Sequence, residues 1–176
     1  MYKPSLNIDL FPQNIKGFKY PNSNSSFIDF SYQIQTKYEN QTSPFFQNVL
    51  YTYANNPLLN FLEFKPLKEY IEKIVEINYN FKCIIEESWL NIYSKNGYST
   101  FHNHAPCPLV GVYYLRVPKI YPGINIHNNA NLMDYYNIPL ISNTLLFFNG
   151  DQYHSTYPNP TDEEKIIIAF NLKKVD

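Results

Sequence analysis

The sequence predicts a mainly β fold, a sandwich or barrel of short strands with two helices packed outside it. The C-terminal half contains six β-branched and aromatic runs, and turn signals such as Pro118 and Asn149-Gly150 separate them. The N-terminal half contains two segments with helical spacing of apolar residues. A chain of 176 residues with 44% hydrophobic residues is large enough for one domain with its own core.

Residues 1–80 are predicted to form an extension with two helices. Residues 27–34 favour an edge strand, after a polar run and Pro21 that mark turns. A first helix is expected over 44–53, and Asn55-Asn56-Pro57 should end it. A second helix begins at Pro66 and ends near 78–80, because an apolar stripe there opposes a charged face. The stripe residues are Leu67, Tyr70, Ile71, Ile74 and Val75.

Residues 81–176 are predicted to form the β core, so that 1–176 is a single domain. The pattern changes there from helical spacing to short apolar runs that end at Pro, Asn or Gly. The predicted strands are 81–93, 109–117, 124–127, 144–148, 154–157 and 165–172.

Composition excludes several classes of protein. The formal net charge is −1, which disfavours a nucleic-acid or membrane-surface partner. Two cysteines, Cys83 and Cys107, are too few for a disulfide scaffold. Met1 to Asp9 lacks the apolar run of a signal peptide, and no stretch approaches the roughly 20 apolar residues of a membrane helix. We therefore expect a cytoplasmic protein. The bias toward Asn, Tyr, Ile and Lys is typical of an AT-rich genome, such as that of a phage, a large virus or a marine bacterium.

Three of the four histidines are spaced as one metal site requires. His102 and His104 would point to the same side if their segment were a strand, because side chains alternate along a strand. His154 would come from a second strand and complete a facial set of three ligands. Such a set leaves open positions on the metal, which suit non-haem Fe(II) and oxygen chemistry.

The blocks of the C-terminal half, over about residues 85–172, resemble a family of small 2-oxoglutarate/Fe(II)-dependent oxygenase-like proteins that are common in phages and marine bacteria. The resemblance depends on the order and spacing of the blocks. They are Ser88-Trp89-Leu90-Asn91-Ile92, His102-x-His104, Val110-Gly111-Val112-Tyr113-Tyr114-Leu115, Leu146-Phe147-Phe148 leading to Tyr153-His154-Ser155, and Ile166 to Asn171.

The resemblance implies a double-stranded β-helix, the cupin-like jelly roll, which uses Fe(II), 2-oxoglutarate and O₂ to hydroxylate a substrate that the sequence does not identify. It also implies that His102, His104 and His154 are the catalytic iron ligands. In the wider superfamily a carboxylate stands where His104 does. The closing strand of the family usually has Arg and Ser, which bind the far carboxylate of 2-oxoglutarate, where this chain has Lys165 and Ile167.

Lys165 can still pair with that carboxylate as a point charge, although it lacks the two-pronged guanidinium of arginine. A phenol from Tyr93, Tyr113 or Tyr114 is expected to assist it. Asn91, on a neighbouring predicted strand, is expected to orient a ligand or a water next to the metal.

Two alternatives remain open at this point. A cupin-type enzyme with three histidine ligands would not need 2-oxoglutarate, and the change at Lys165 and Ile167 favours it. A non-catalytic viral jelly roll could hold a structural Zn²⁺ with the same imidazoles. The substrate could be a protein side chain or a small molecule.

Overall fold

A computed structural model describes residues 2–10, 13–38, 40–41, 43–52 and 57–175. Within these residues the chain forms strands, two α-helices, α1 and α2, and two short 3₁₀ turns, Leu58–Asn60 and Leu62–Phe64. The elements are β1 (Leu6–Leu10), β2 (Gln13–Lys19), α1 (Ser25–Lys37), β3 (Phe46–Tyr51), α2 (Lys65–Tyr79), β4 (Lys82–Ser99), β5 (Leu109–Arg116), β6 (Ile124–Asn128), β7 (Asn131–Ile138), β8 (Thr144–Phe148), β9 (His154–Thr156) and β10 (Lys165–Val175).

Two antiparallel sheets form the fold. The larger sheet has seven strands in the order β1-β2-β8-β5-β10-β4-β3, and the smaller has three in the order β7-β6-β9. An isolated antiparallel β-bridge pairs His102 with His154, at the edge of β9 that is not paired with β6. The predicted mainly β jelly roll is confirmed. The prediction of short strands from residue 81 onward is also confirmed, although β4 continues to Ser99.

Side-chain alternation along β10 divides the interior into two layers. Ile166, Ile168 and Phe170 pack with the helices on one face of the large sheet. Ile167 and Ala169 lie on the opposite face, against the small sheet. Because both faces of β5 and β10 are buried, these strands read as continuous apolar runs in the sequence. The predicted metal site lies in the layer between the sheets.

Helix α2 follows the sequence prediction closely. It begins one residue before Pro66 and ends at Tyr79, where Asn80 adopts a left-handed conformation with φ of 56°. Asparagine is among the residues that tolerate this conformation at the end of a helix. Its five predicted stripe residues are all buried in the helix-side layer.

Two predictions for the N-terminal half are wrong. Residues 27–34, predicted as an edge strand, lie inside helix α1. Phe27, Ser31 and Ile34 face the core at helical spacing, and the Ser31 hydroxyl donates to the Phe27 carbonyl at 2.7 Å.

The predicted helix at 44–53 is instead β3, an edge strand that pairs with β4. The pairing shifts register between Gln47 and Val49, and Asn48 has a positive φ of 49°. This irregularity disturbs the strand alternation, so the apolar residues have an apparent helical spacing. The predicted end of that helix, at 53–56, lies outside the described residues.

Two further features complete the fold. Strand β7 was not predicted, because its residues from 131 to 136 are exposed and show no apolar alternation.

Among the described residues, no helix is both long enough and apolar enough to cross a membrane.

Candidate metal centre

The structure places His102, His104 and His154 around one point. Their candidate ligand atoms all lie within 4.8 Å of one another. The ring centroids of His102 and His154 are 4.3 Å apart, and each is 5.3 Å from that of His104.

Backbone hydrogen bonds hold the three residues together. The amides of His102 and His154 donate to each other's carbonyl oxygens at 3.1 and 2.9 Å, and the amide of His104 donates to the Gly150 carbonyl at 2.7 Å. The segment that contains His102 and His104 is therefore not the regular strand that the sequence argument assumed. His102 forms a bridge and His104 lies at the start of a turn, yet both imidazoles reach the same point.

The hydrogen bonds of the rings fix which nitrogen is free in two of the histidines. Nδ1 of His102 is 2.7 Å from the Thr100 carbonyl, and Nδ1 of His154 is 3.1 Å from the Gln152 carbonyl. A carbonyl oxygen only accepts, so each Nδ1 carries the proton and each Nε2 has a lone pair available for a metal.

Burial keeps the three imidazoles uncharged. It lowers the pKa of His104 to about 4, lowers that of His102, and holds that of His154 well below its ordinary value. Repulsion from the neighbouring imidazoles adds to the effect at His104 and His154. A neutral imidazole is the form that binds a metal, so the cluster can bind one at neutral pH.

Aromatic rings enclose the cluster. Trp89 stacks on His104 with centroids 5.6 Å apart and planes at 17°, and Phe45 stacks on His102 at 5.3 Å and 24°. The ring of Phe148 is 4.8 Å from His154. These contacts fix the ring planes and limit access of water to them.

Lys165 lies in the same cavity as the three histidines, and its residue exposure is 0%. Its ammonium is 3.6 Å from the ring centroid of Tyr93 and 4.4 Å from that of Tyr121, and it donates to the Tyr121 hydroxyl at 2.5 Å. No ion pair joins it to an acidic side chain within the described ranges. Burial therefore holds the pKa of Lys165 well below its ordinary value.

Two residues that line the cavity each have a buried polar atom without a hydrogen-bond partner among the described residues. These atoms are Nε1 of Trp89 and Oδ1 of Asn91. The Asn91 amide also donates to the Tyr93 hydroxyl at 3.3 Å. Buried polar atoms are usually satisfied, so this arrangement fits a polar, anionic ligand between the histidines and Lys165. A dicarboxylic keto acid such as 2-oxoglutarate has that chemistry.

The predicted phenols have different outcomes. Tyr93 and Tyr114 line the cavity. The prediction that Tyr113 faces it is wrong, because Tyr113 points to the helix side and donates to Asn143 Oδ1 at 2.6 Å. Because side chains alternate along β5, the adjacent residues Tyr113 and Tyr114 face opposite sides of the large sheet. Tyr121, in the loop after β5, was missed, since it is one of 17 tyrosines and lies outside any strand pattern.

The fourth histidine, His127, does not join the cluster. Its Nδ1 is 2.9 Å from the Leu132 carbonyl, and its Nε2 is 2.9 Å from the Ser155 hydroxyl. The residue before it, Ile126, is the register partner of His154. Because side chains alternate along β6, His127 lies on the opposite face of the small sheet from His154.

A jelly roll with three inward-facing histidines has the arrangement of a cupin-type metal site. Comparison with known families narrows the class of protein further. Residues 87–171 match the model of the family described as "Putative 2OG-Fe(II) oxygenase". No curated protein sequence matches the chain.

Solved structures of 2-oxoglutarate/Fe(II) oxygenases share the fold at low sequence identity. The epimerase SnoN from nogalamycin biosynthesis, with Fe³⁺ and α-ketoglutarate, has a TM-score of 0.70 at 11% identity, over 90% of this chain and 78% of its own. A prolyl hydroxylase from Trichoplax adhaerens, with a peptide of hypoxia inducible factor, has 0.69 at 12%, over 90% and 82%. The viral collagen prolyl hydroxylase of Paramecium Bursaria Chlorella virus-1, with 2-oxoglutarate, has 0.63 at 14%, over 92% and 96%.

The family match over residues 87–171 and the shared fold together support a 2-oxoglutarate/Fe(II)-dependent oxygenase. This segment contains the three clustered histidines and Lys165.

Proposed function

We propose that this oxygenase holds Fe(II) with His102, His104 and His154 and holds the far carboxylate of 2-oxoglutarate with Lys165. Tyr121 and Tyr93 assist Lys165, and Asn91 orients the ligand from the neighbouring strand. O₂ and a substrate complete the reaction. The whole chain, 1–176, acts as a single domain in this proposal.

The observation that best supports the proposal is the buried ammonium of Lys165 in the same cavity as three uncharged imidazoles. A buried cation without an anion is costly unless a ligand supplies the anion. The Lys165 position pairs with Tyr93 on β4, and its ammonium lies over the rings of Tyr93 and Tyr121.

Bound together, Fe(II), 2-oxoglutarate and O₂ supply the oxidising power that hydroxylates a C–H bond, with succinate and CO₂ as co-products. The residues of the chain provide the surroundings for that chemistry. Trp89, Phe45 and Phe148 pack against the imidazoles and limit the access of water to them. Burial raises the pKa of Tyr93 to about 12 and raises that of Tyr121 as well, so both phenols keep their protons and can donate to a carboxylate.

An anaerobic optical titration tests the proposal. Fe(II) and then 2-oxoglutarate are added to metal-free protein, and a visible metal-to-ligand charge-transfer band is expected only when both are present. The band should be absent in His154→Ala and retained in His127→Ala. Iron binding without a band would contradict the use of 2-oxoglutarate.

One observation favours a second candidate, a three-histidine cupin-type enzyme that does not use 2-oxoglutarate. The metal-ligand cluster found among the described residues is all histidine, and Ile167 offers no hydroxyl to a carboxylate. The buried Lys165 favours the first candidate. The same titration separates the two, since only the first predicts the charge-transfer band.

The proposal identifies the substrate only by its chemical class. We infer that it is a protein side chain or a small molecule, because a prolyl hydroxylase bound to a peptide and an epimerase from nogalamycin biosynthesis share the fold. We also infer a cytoplasmic enzyme, in a host cell if the chain is of phage or viral origin. The fold shared with a viral collagen prolyl hydroxylase is consistent with that origin.

A further inference from the structure

The three clustered histidines differ in what orients them. Backbone carbonyls accept from His102 and His154, as described above. The side chain of Asn171, on β10, lines the same pocket as His104.

Asn171 in turn contacts a carboxylate. Its Nδ2 donates to Oε2 of Glu87 at 2.6 Å, across the β10–β4 pair in which the two residues are register partners. A carboxylate oxygen without a proton only accepts, so the amide must turn its NH₂ group toward Glu87 and its oxygen away.

The amide oxygen is then left for another donor. Oδ1 of Asn171 is buried and has no hydrogen-bond partner within the part of the chain that the structure describes, so it is free to accept from the His104 imidazole. His104, Asn171 and Glu87 also line one shallow pocket on the outer side of the cluster.

We propose that Glu87 is a positioning residue for the metal centre, and that its negative charge acts on His104 through the Asn171 amide. The inference rests on the metal-ligand part of the proposed function. His104 donates its ring proton to Asn171, Asn171 donates to Glu87, and the second nitrogen of His104 is left as the more basic ligand.

The chain of hydrogen bonds that ends at Glu87 also affects the charge around the metal site. Three imidazoles leave a divalent ion with its full +2 charge, since none of them is an anion. Glu87 supplies a negative charge outside the ligand set, through the amide that lines the same pocket as His104. Glu87→Gln removes this charge while it keeps an oxygen that can accept from Asn171.

The neighbouring Glu86 provides a matched control. It is exposed, and its carboxylate lies 3.4 Å from the Lys173 ammonium and does not bond Asn171, although it lines the same pocket as Glu87. Glu86→Gln therefore removes the same formal charge one residue away without touching Asn171. Asn171→Ala interrupts the chain of hydrogen bonds at its centre.

Co²⁺ affinity of the full chain tests the proposal without any turnover. We expect Glu87→Gln to weaken Co²⁺ binding on the order of tenfold, within the range known for partners of metal-bound histidines. Asn171→Ala should have a similar effect, and the double variant should be no weaker than the single ones, because both act on one path. The visible absorption of bound Co²⁺ should shift in the same variants. Glu86→Gln should match the wild type within about twofold.

Thermal melting of the metal-free variants shows whether each is folded before its affinity is compared. Equal affinities in Glu87→Gln and Glu86→Gln would overturn the inference and leave the proposed function intact. A tenfold loss in Glu87→Gln, with no charge-transfer band from 2-oxoglutarate in the wild type, would support the inference and contradict the use of that co-substrate. A wild type that binds no Co²⁺ would overturn both.

Discussion

Replacing Lys165 with methionine should weaken 2-oxoglutarate binding about a hundredfold and leave the metal-free protein close to its original stability. Truncating one partner of a buried, hydrogen-bonded charge pair costs about 2–5 kcal/mol. A loss of about 3 kcal/mol corresponds to roughly a hundredfold in affinity. Methionine is close to lysine in length and fills the same space among Tyr93, Tyr121 and Ile167.

The stability of the metal-free protein depends on opposing effects. The substitution removes two cation–π contacts and the hydrogen bond to Tyr121, each worth about 1 kcal/mol. It also removes an amine that burial disfavours in its charged form. We therefore expect a net change of about 1–2 kcal/mol or less, or a shift in Tm within roughly 5 °C.

The pH dependence has a definite sign. The pKa of Lys165 is lower in the folded protein than in the unfolded chain, where it is 10.5. Between the two values the unfolded chain binds the extra proton, so stability of the metal-free protein rises as pH increases toward 10.5. This contribution to the rise should disappear in Lys165→Met.

Calorimetric titration of the Co²⁺-loaded protein with 2-oxoglutarate measures the affinity, and urea unfolding of the metal-free protein from pH 7 to 10 measures the stability. Lys165→Arg is the control that keeps the charge, and it should retain most of the affinity. Unchanged affinity in Lys165→Met, with a large loss of stability, would show that Lys165 is only a structural residue and would refute the reasoning.

Three further predictions concern the ligands and the core. His154→Ala should weaken Co²⁺ binding more than a hundredfold by titration, whereas equal loss in His127→Ala, whose side chain faces away, would contradict the assigned ligand set. The pKa of His104 is about 4 in the folded protein and 6.5 in the unfolded chain, so the unfolded chain binds this proton first. His104 alone should therefore lower metal-free stability by about 3 kcal/mol from pH 6.5 to 4, in addition to the losses from His102 and His154. Urea unfolding should show a smaller fall in His104→Gln than in the wild type, and an equal fall would refute the reasoning. In Gly111→Ala the new methyl would lie 2.2 Å from the Phe170 ring, so urea unfolding should show a loss of about 1–3 kcal/mol, and an unchanged midpoint would contradict the packing.

The elements that the sequence predicts well are those in which burial produces one clear period. The stripe of α2 and the apolar runs of β5 and β10 are examples, because every apolar residue there has one environment. Strand β3 and helix α1 have mixed periods, and pairing with β4 or packing on the large sheet determines their form. Neither contact can be read from the local sequence.

The metal cluster was predictable for a different reason. His102, His104 and His154 are three of four histidines in the chain, and the block order of the family resemblance places them at one site. Tyr121 and the Glu87–Asn171 pair were not predictable in the same way. Their roles depend on cross-strand register and on the path of a loop, which form only in the folded chain.

An anaerobic crystal structure of the protein with Fe(II) and 2-oxoglutarate tests the central claim most directly. The account predicts iron bound to His102, His104 and His154, with the keto-acid end of 2-oxoglutarate on the metal and its far carboxylate on Lys165 and Tyr121. Iron on other residues, or a 2-oxoglutarate carboxylate that does not contact Lys165, would contradict it.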